Sequence, residues 1–88
     1  MGRAQRFLQI GNTTPLIKHP LVELVGQNRV LIENHQGVLA YSTDEIQIKV
    51  SYGCVIVKGT KLQLLEMSKM QLVICGRIDS IQLFGGSE

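Results

Sequence analysis

The chain has no tryptophan, only two cysteines and two prolines among 88 residues, and no apolar run beyond five residues. Each shortage excludes something. A bilayer-spanning helix needs about 20 consecutive apolar residues, so no segment can insert as one. The cysteines, Cys54 and Cys75, have no CxxC spacing, which leaves neither a disulfide framework nor a zinc ribbon; two reduced, buried thiols are expected. The rings are Phe7, Tyr41, Tyr52 and Phe84, too few for the stacking platform of a single-strand nucleic-acid binder. Met1–Arg6 carries positive charge with no apolar stretch behind it, so no secretory signal is expected. A chain of this size folds as one small domain, which excludes a two-lobed enzyme with a cleft between its lobes.

What charge there is, 18% of residues, is unevenly placed. Residues 1–19 hold Arg3, Arg6 and Lys18 and no acid, while residues 20–88 hold six basic and seven acidic side chains, a net of −1. The reading is a basic arm over 1–19, coil or a short helix around Ala4–Ile10, followed by a single β-domain over 20–88. From Leu21 onward apolar residues recur at every second position, the strand period. Eight runs stand out: Leu21–Val25, Arg29–Asn34, Val38–Ser42, Glu45–Val50, Cys54–Lys58, Lys61–Glu66, Met70–Cys75 and Ile78–Leu83. The breaks between them are two or three residues, rich in Gly, Asn and Asp. Parallel crossovers need a dozen or more residues, so the spacing predicts an antiparallel all-β meander of about eight short strands, closed into a small sandwich or roll.

The even positions Val30, Ile32, Val38, Ala40, Ile46, Ile48, Ile56, Leu62, Leu64, Leu72 and Ile74 are the expected core face. Glu45, Gln47 and Lys49 make a polar outer face on one strand. Elsewhere the odd positions are apolar, and a water-facing sheet side does not carry that many such residues. Either the sheet folds over on itself or the second face meets another chain. Leu31, His35, Leu39, Tyr41, Val55, Val57 and Val73 are therefore the candidate partner contacts.

Signals for chemistry are sparse. His19, His35, Cys54 and Cys75 match no metal-ligand spacing. Ser42 and Ser51 lie in turns with no base placed to activate them, and Glu33 beside His35 is not spaced to help. No catalytic residue, metal site or cofactor is expected. Mixed charge over Lys49, Lys58, Lys61, Lys69, Glu45, Glu66 and Asp79 reads as a solvated surface, and no nucleic-acid partner is expected. The most distinctive string is Ile32-Glu33-Asn34-His35-Gln36-Gly37, a turn in which Asn34 bonds its own backbone, Gly37 takes a left-handed conformation and His35 is exposed at the tip.

Three stretches together resemble the YabP/YqfC family, its YqfC branch more closely: Val30–Gly37 is similar to the family's IENHxG turn, Gly53–Leu62 to its G-x-L-x-I-x-G-x-x-L stretch, and Leu72–Ile81 to its I-x-I-x-G-x-I-x-x-I ending. The resemblance covers about residues 20–84. It implies a non-enzymatic protein of endospore-forming bacteria, made in the mother cell during sporulation. It further implies work in forespore and spore envelope assembly with a YqfD-like membrane protein; the apolar second face adds a homo-oligomer as the other expected partner. The expected place is the mother-cell cytoplasm, peripheral to the outer forespore membrane and not inserted in it. A peripheral membrane-surface or single-stranded nucleic-acid binding module is the alternative reading.

Overall fold

A computed structural model describes residues 19–68 and 70–85 of the chain. The basic arm, and with it the helix considered around Ala4–Ile10, lies outside the described residues. Six strands form: β1 (Leu21–Val25), β2 (Arg29–Glu33), β3 (Val38–Tyr41), β4 (Glu45–Val50), β5 (Gly53–Met67) and β6 (Gln71–Gly85). They make one sheet in the order β1-β2-β6-β5-β4-β3, and every neighbouring pair is antiparallel.

The all-β antiparallel reading holds, with six strands rather than eight. The runs on either side of Gly59-Thr60 are one strand, β5, and those on either side of Gly76-Arg77 are one strand, β6. These breaks lie together in the β5–β6 ladder (Gly59↔Ile78, Thr60↔Arg77), where the register shifts. Glycine serves there as a bend in two paired strands rather than as a turn.

The meander is interrupted once. β2 pairs with β6, and β3 forms the opposite border of the sheet beside β4. Four strand intervals separate β2 from β3, about 19 Å in a flat sheet at ~4.8 Å each. The link Asn34–Gly37 takes five Cα steps from Glu33 to Val38, at most ~17 Å when fully extended. The sheet must therefore curl. Its bend divides it into a half made of β1, β2, the start of β6 and the end of β5, and a half made of β3, β4, the start of β5 and the end of β6. Val30, Ile32, Leu62, Leu72 and Ile74 come from the first half, and Ile46, Ile48, Val50, Val55 and Val57 from the second. All ten have essentially no exposure and form one cluster. Most β-branched side chains here bury a stiff, bulky face against a pleated surface, which suits them to this core.

Three expectations about faces fail, the first two for one reason. Val55 and Val57 were expected on the second face but are core residues, 1% and 0% exposed, and Ile56 is only half-buried. In an antiparallel ladder, opposed residues share a face. The β4–β5 ladder pairs Ile48 with Val55 and Ile46 with Val57. A two-residue turn, Ser51-Tyr52, thus moves the core face from even to odd positions. Later register shifts in β5 return it, so Leu62 is buried and Leu64 packs against the core. Ala40 is also exposed rather than internal, because a bulge between Val38 and Ala40 turns it outward.

Candidate interaction surface

The string Asn34–Gly37 is a latch. Asn34 takes a left-handed φ of 64°, a conformation its short polar side chain tolerates. Its N–H donates to the Met70 carbonyl (2.6 Å) and its Nδ2 to the His19 carbonyl (2.8 Å). Gln36 N–H donates to the Lys49 carbonyl (2.7 Å), and Lys49 N–H returns a bond to the Gly37 carbonyl (2.8 Å). His35 is not an exposed tip residue: it is 9% exposed. Its Nδ1 accepts the Gly37 N–H (2.9 Å), so its proton sits on Nε2, which donates to the Ser68 carbonyl (2.9 Å). One short turn therefore holds the entry to β1, the β5–β6 turn and β4 together. Gly37 takes a positive φ of 118° as expected, but the side-chain bond across the turn is made by His35 and not by Asn34, whose amide reaches His19 instead; the latch joins elements more than 30 residues apart in sequence.

The candidate contacts do not form a single patch. Val55 and Val57 are in the core and His35 is under the β5–β6 turn. Leu31 and Val73 are direct cross-strand neighbours, half-buried on the outer side of the first half-sheet. Leu39 and Tyr41 are exposed on β3, one border of the sheet. The other border, β1, was absent from the candidate set. All five of its residues are exposed, and four of them are the apolar Leu21, Val22, Leu24 and Val25, 37–51% exposed. The sequence signal was an apolar-on-both-faces run at the start of the domain, where among the described residues no strand lies beyond the border. Leu65 and Met67 at the end of β5, and Leu83 and Phe84 at the end of β6, are exposed as well, because neither β4 nor β2 extends far enough to flank those ends.

Nothing in the described residues gathers three or more His, Cys, Asp or Glu side chains into a metal-holding group. Cys54 opposes Lys49 and Phe84, whereas Cys75 opposes Arg29 and Gln63, so the two thiols sit in different halves. His19 stacks near Tyr52 at 5.5 Å between ring centres, and its Nδ1 shares a hydrogen bond with the tyrosine hydroxyl. Among the described residues no helix is long and apolar enough to cross a membrane.

The model of the YabP family matches residues 18–88, which takes in the whole curled sheet and its latch. The chain belongs to the YabP family. The chain is also similar to "uncharacterized protein YqfC" of Bacillus subtilis (strain 168), 27% identical over 63 residues, 72% of this chain and 68% of that protein. No solved structure matches. For this YabP-family sheet, the IENHxG-like turn is accounted for by the latch, and the glycines of the other two family stretches, Gly59 and Gly76, by the bend.

Proposed function

We propose that this chain is a non-enzymatic sporulation protein of the mother cell, acting in forespore and spore envelope assembly through protein contacts. Its partners in this reading are further copies of itself and a YqfD-like membrane protein at the outer forespore membrane. Family membership supports the setting, and the surface supports the mode of action. The observation that carries it is β1, a border strand whose outer backbone edge is open among the described residues and which has apolar side chains on both sides. An exposed apolar edge is a ready template for strand addition by another chain, and contiguous apolar exposure marks contact sites.

The test is the mass of the full chain in solution, alone and mixed with the soluble part of a YqfD-like protein, for wild type and Leu24→Lys. Leu24 is half exposed, so the lysine leaves the fold intact by circular dichroism. The expected result is association in wild type that the lysine weakens at least about tenfold, the effect of roughly 1.4 kcal/mol at one edge position. A wild-type chain that stays monomeric at high concentration and ignores the partner refutes the reading.

A further inference from the structure

Two borders of the curled sheet are unbroken, and they match each other. β3 carries a bulge between Val38 and Ala40, and the far part of β5 shifts register between Thr60 and Gln63 and again between Leu64 and Glu66; such bulges blunt an edge. β1 pairs without a shift from Leu21 to Val25, and β6 pairs with β5 without a shift from Ser80 to Gly85. Both borders face the same way. The side of β6 turned away from β5 carries β2 along Gln71–Cys75, with β1 beyond it. It then receives the β1–β2 turn, where Gly76 N–H donates to the Asn28 carbonyl and Ile78 N–H to the Gln27 carbonyl. From Ser80 to Gly85 no strand lies along that side among the described residues.

Backbone groups alternate in direction along a strand, so the registers fix which ones each border turns outward. Asn28 and Asn34 bond toward β6, so the even positions of β2 face β6 and the odd ones face β1. The partners of those odd positions are Val25, Glu23 and Leu21, which leaves the N–H and C=O groups of Val22 and Leu24 at the outer edge. In β4, Glu45 and Lys49 bond toward β3 and the link before it, so Ile46, Ile48 and Val50 face β5, and the even positions Cys54, Ile56 and Lys58 of β5 face β6. Their partners are Phe84, Gln82 and Ser80, which leaves Ile81 and Leu83 at the outer edge. On both borders the outward-bonding residues keep their side chains on the core side: Val22 and Leu24 oppose Ile32 and Val30, and Ile81 and Leu83 oppose Val57 and Val55.

An antiparallel join that sets Val22 of one copy against Leu83 of another, and Leu24 against Ile81, satisfies these groups in pairs and continues one core side across both copies. The same register sets Leu21 against Phe84, both exposed, and Glu23 against the neutral Gln82. Joining β1 to a second β1 is poorer. The centred register sets Glu23 against Glu23, like charges directly opposed. The neighbouring registers set Leu24 against Pro20, which has no N–H, or Val22 against Gly26 in the turn. Strand directions agree with the mixed join. β1 starts beside His19, which lies against Tyr52, and β6 ends at Gly85, opposite Gly53. One strand leaves that end of the sheet and the other returns to it, so a two-fold axis along the strands forms both joins at once and closes the pair.

We propose that two copies of this chain associate about such an axis, β1 of each adding to the Ser80–Gly85 end of β6 of the other. This rests on β1 being a contact edge and names its occupant.

The test uses the full chain carrying Glu23→Cys and Gln82→Cys together. With Val22–Leu83 and Leu24–Ile81 as the hydrogen-bonded pairs, positions 23 and 82 form a closer pair, about 4.5 Å between Cα atoms, within reach of a disulfide. Mild oxidation should give a covalent dimer in the double variant and in neither single variant; all three keep Cys54 and Cys75, so the single variants control for them. By sedimentation, Gln82→Glu should raise the dimer dissociation constant at least about fivefold, because the axis repeats its clash with Glu23, and adding Glu23→Lys should restore it. Circular dichroism verifies the sheet in each variant. Cross-linking through Glu23→Cys alone overturns the proposal in favour of a β1–β1 join, and masses that climb past two chains overturn the closed pair. A dimer indifferent to Gln82→Glu, or a chain that stays monomeric yet binds the soluble part of a YqfD-like protein through β1, overturns it and leaves β1 as a contact edge. Only a chain that neither associates nor binds that partner refutes both.

Discussion

Replacing His35 with alanine tests the latch most directly. The imidazole makes two bonds, accepting from Gly37 N–H and donating to the Ser68 carbonyl. Each is worth about 1 kcal/mol net, and a buried backbone group left without a partner adds about 1–3 kcal/mol. Ser68 is exposed and Gly37 half-buried, so water partly replaces the lost partners and the lower end of that range applies. We expect His35→Ala to cost about 2–3 kcal/mol. A domain of this length has ~4–13 kcal/mol in total, at about 0.05–0.15 per residue. In urea, with a slope of roughly 1.5 kcal/mol per molar for a small domain, the midpoint falls by about 1–2 M. His35→Asn is the informative companion. An asparagine can accept from the N–H two residues on, which restores the Gly37 bond but not the one to Ser68. Its midpoint should fall between wild type and alanine, with the slope unchanged. A loss below about 0.5 kcal/mol for alanine, the size of an ordinary surface change, would refute the latch and return His35 to the role of a contact residue.

The sequence was legible wherever structure depends on neighbours in the chain. Strand positions, antiparallel pairing and the even-numbered core of β2, β4 and the start of β6 all follow from the period of two and from short, glycine-containing breaks. One turn shows where the parity reading failed although the information was local. Gly26-Gln27-Asn28 is a three-residue turn and keeps parity, so Val22 and Leu24 share a face with Ile32 and Val30. Ser51-Tyr52 is a two-residue turn and reverses it. Carrying a single parity through both misplaced Val55, Val57 and Ile56. Other features depended on distant partners and had no local signal. Gly59 and Gly76 look like turn residues until each is seen beside the opposite strand. His35 looks like a solvent-facing tip until the turn at Ser68 is placed over it.

Four further outcomes follow from the packing. Val55→Lys and Val57→Glu each place a charge in the core, and both should abolish the sheet signal in circular dichroism; a folded protein under either contradicts the parity reversal. Ile48→Asp should unfold the chain, whereas Gln47→Asp, one residue away on the outer face, should cost less than about 1 kcal/mol by urea denaturation; equal effects would mean the face assignment of β4 is wrong. The Ser51 hydroxyl is buried with no hydrogen-bond partner among the described residues, so Ser51→Ala should leave the thermal midpoint unchanged or higher, and a clear loss would mean that the hydroxyl has a partner outside them. The last outcome is a graded alanine series at four glycines, which separates backbone strain from close approach. At Gly85 an added Cβ meets nothing within 4 Å, and alanine should be neutral. At Gly37 there is open space, but φ is 118°, so the cost is conformational alone, about 1–3 kcal/mol. At Gly76 a φ of 135° combines with a Cβ only 2.6 Å from the Lys61 carbonyl oxygen. At Gly59 the φ imposes no penalty, yet the Cβ would overlap the Arg77 carbonyl oxygen. Both oxygens belong to backbone, which cannot swing aside as a side chain can. Relieving either clash means parting β5 from β6 at the bend, and the bend is what brings the two halves of the core together. Alanine at Gly59 or Gly76 should therefore cost at least about 3 kcal/mol, the upper range for forced overpacking. The decisive comparison is Gly59 against Gly37, because strain alone ranks Gly37 as the costlier site and close approach ranks Gly59. If urea denaturation finds Gly59→Ala the milder of the two, the strands do not meet at the bend as described.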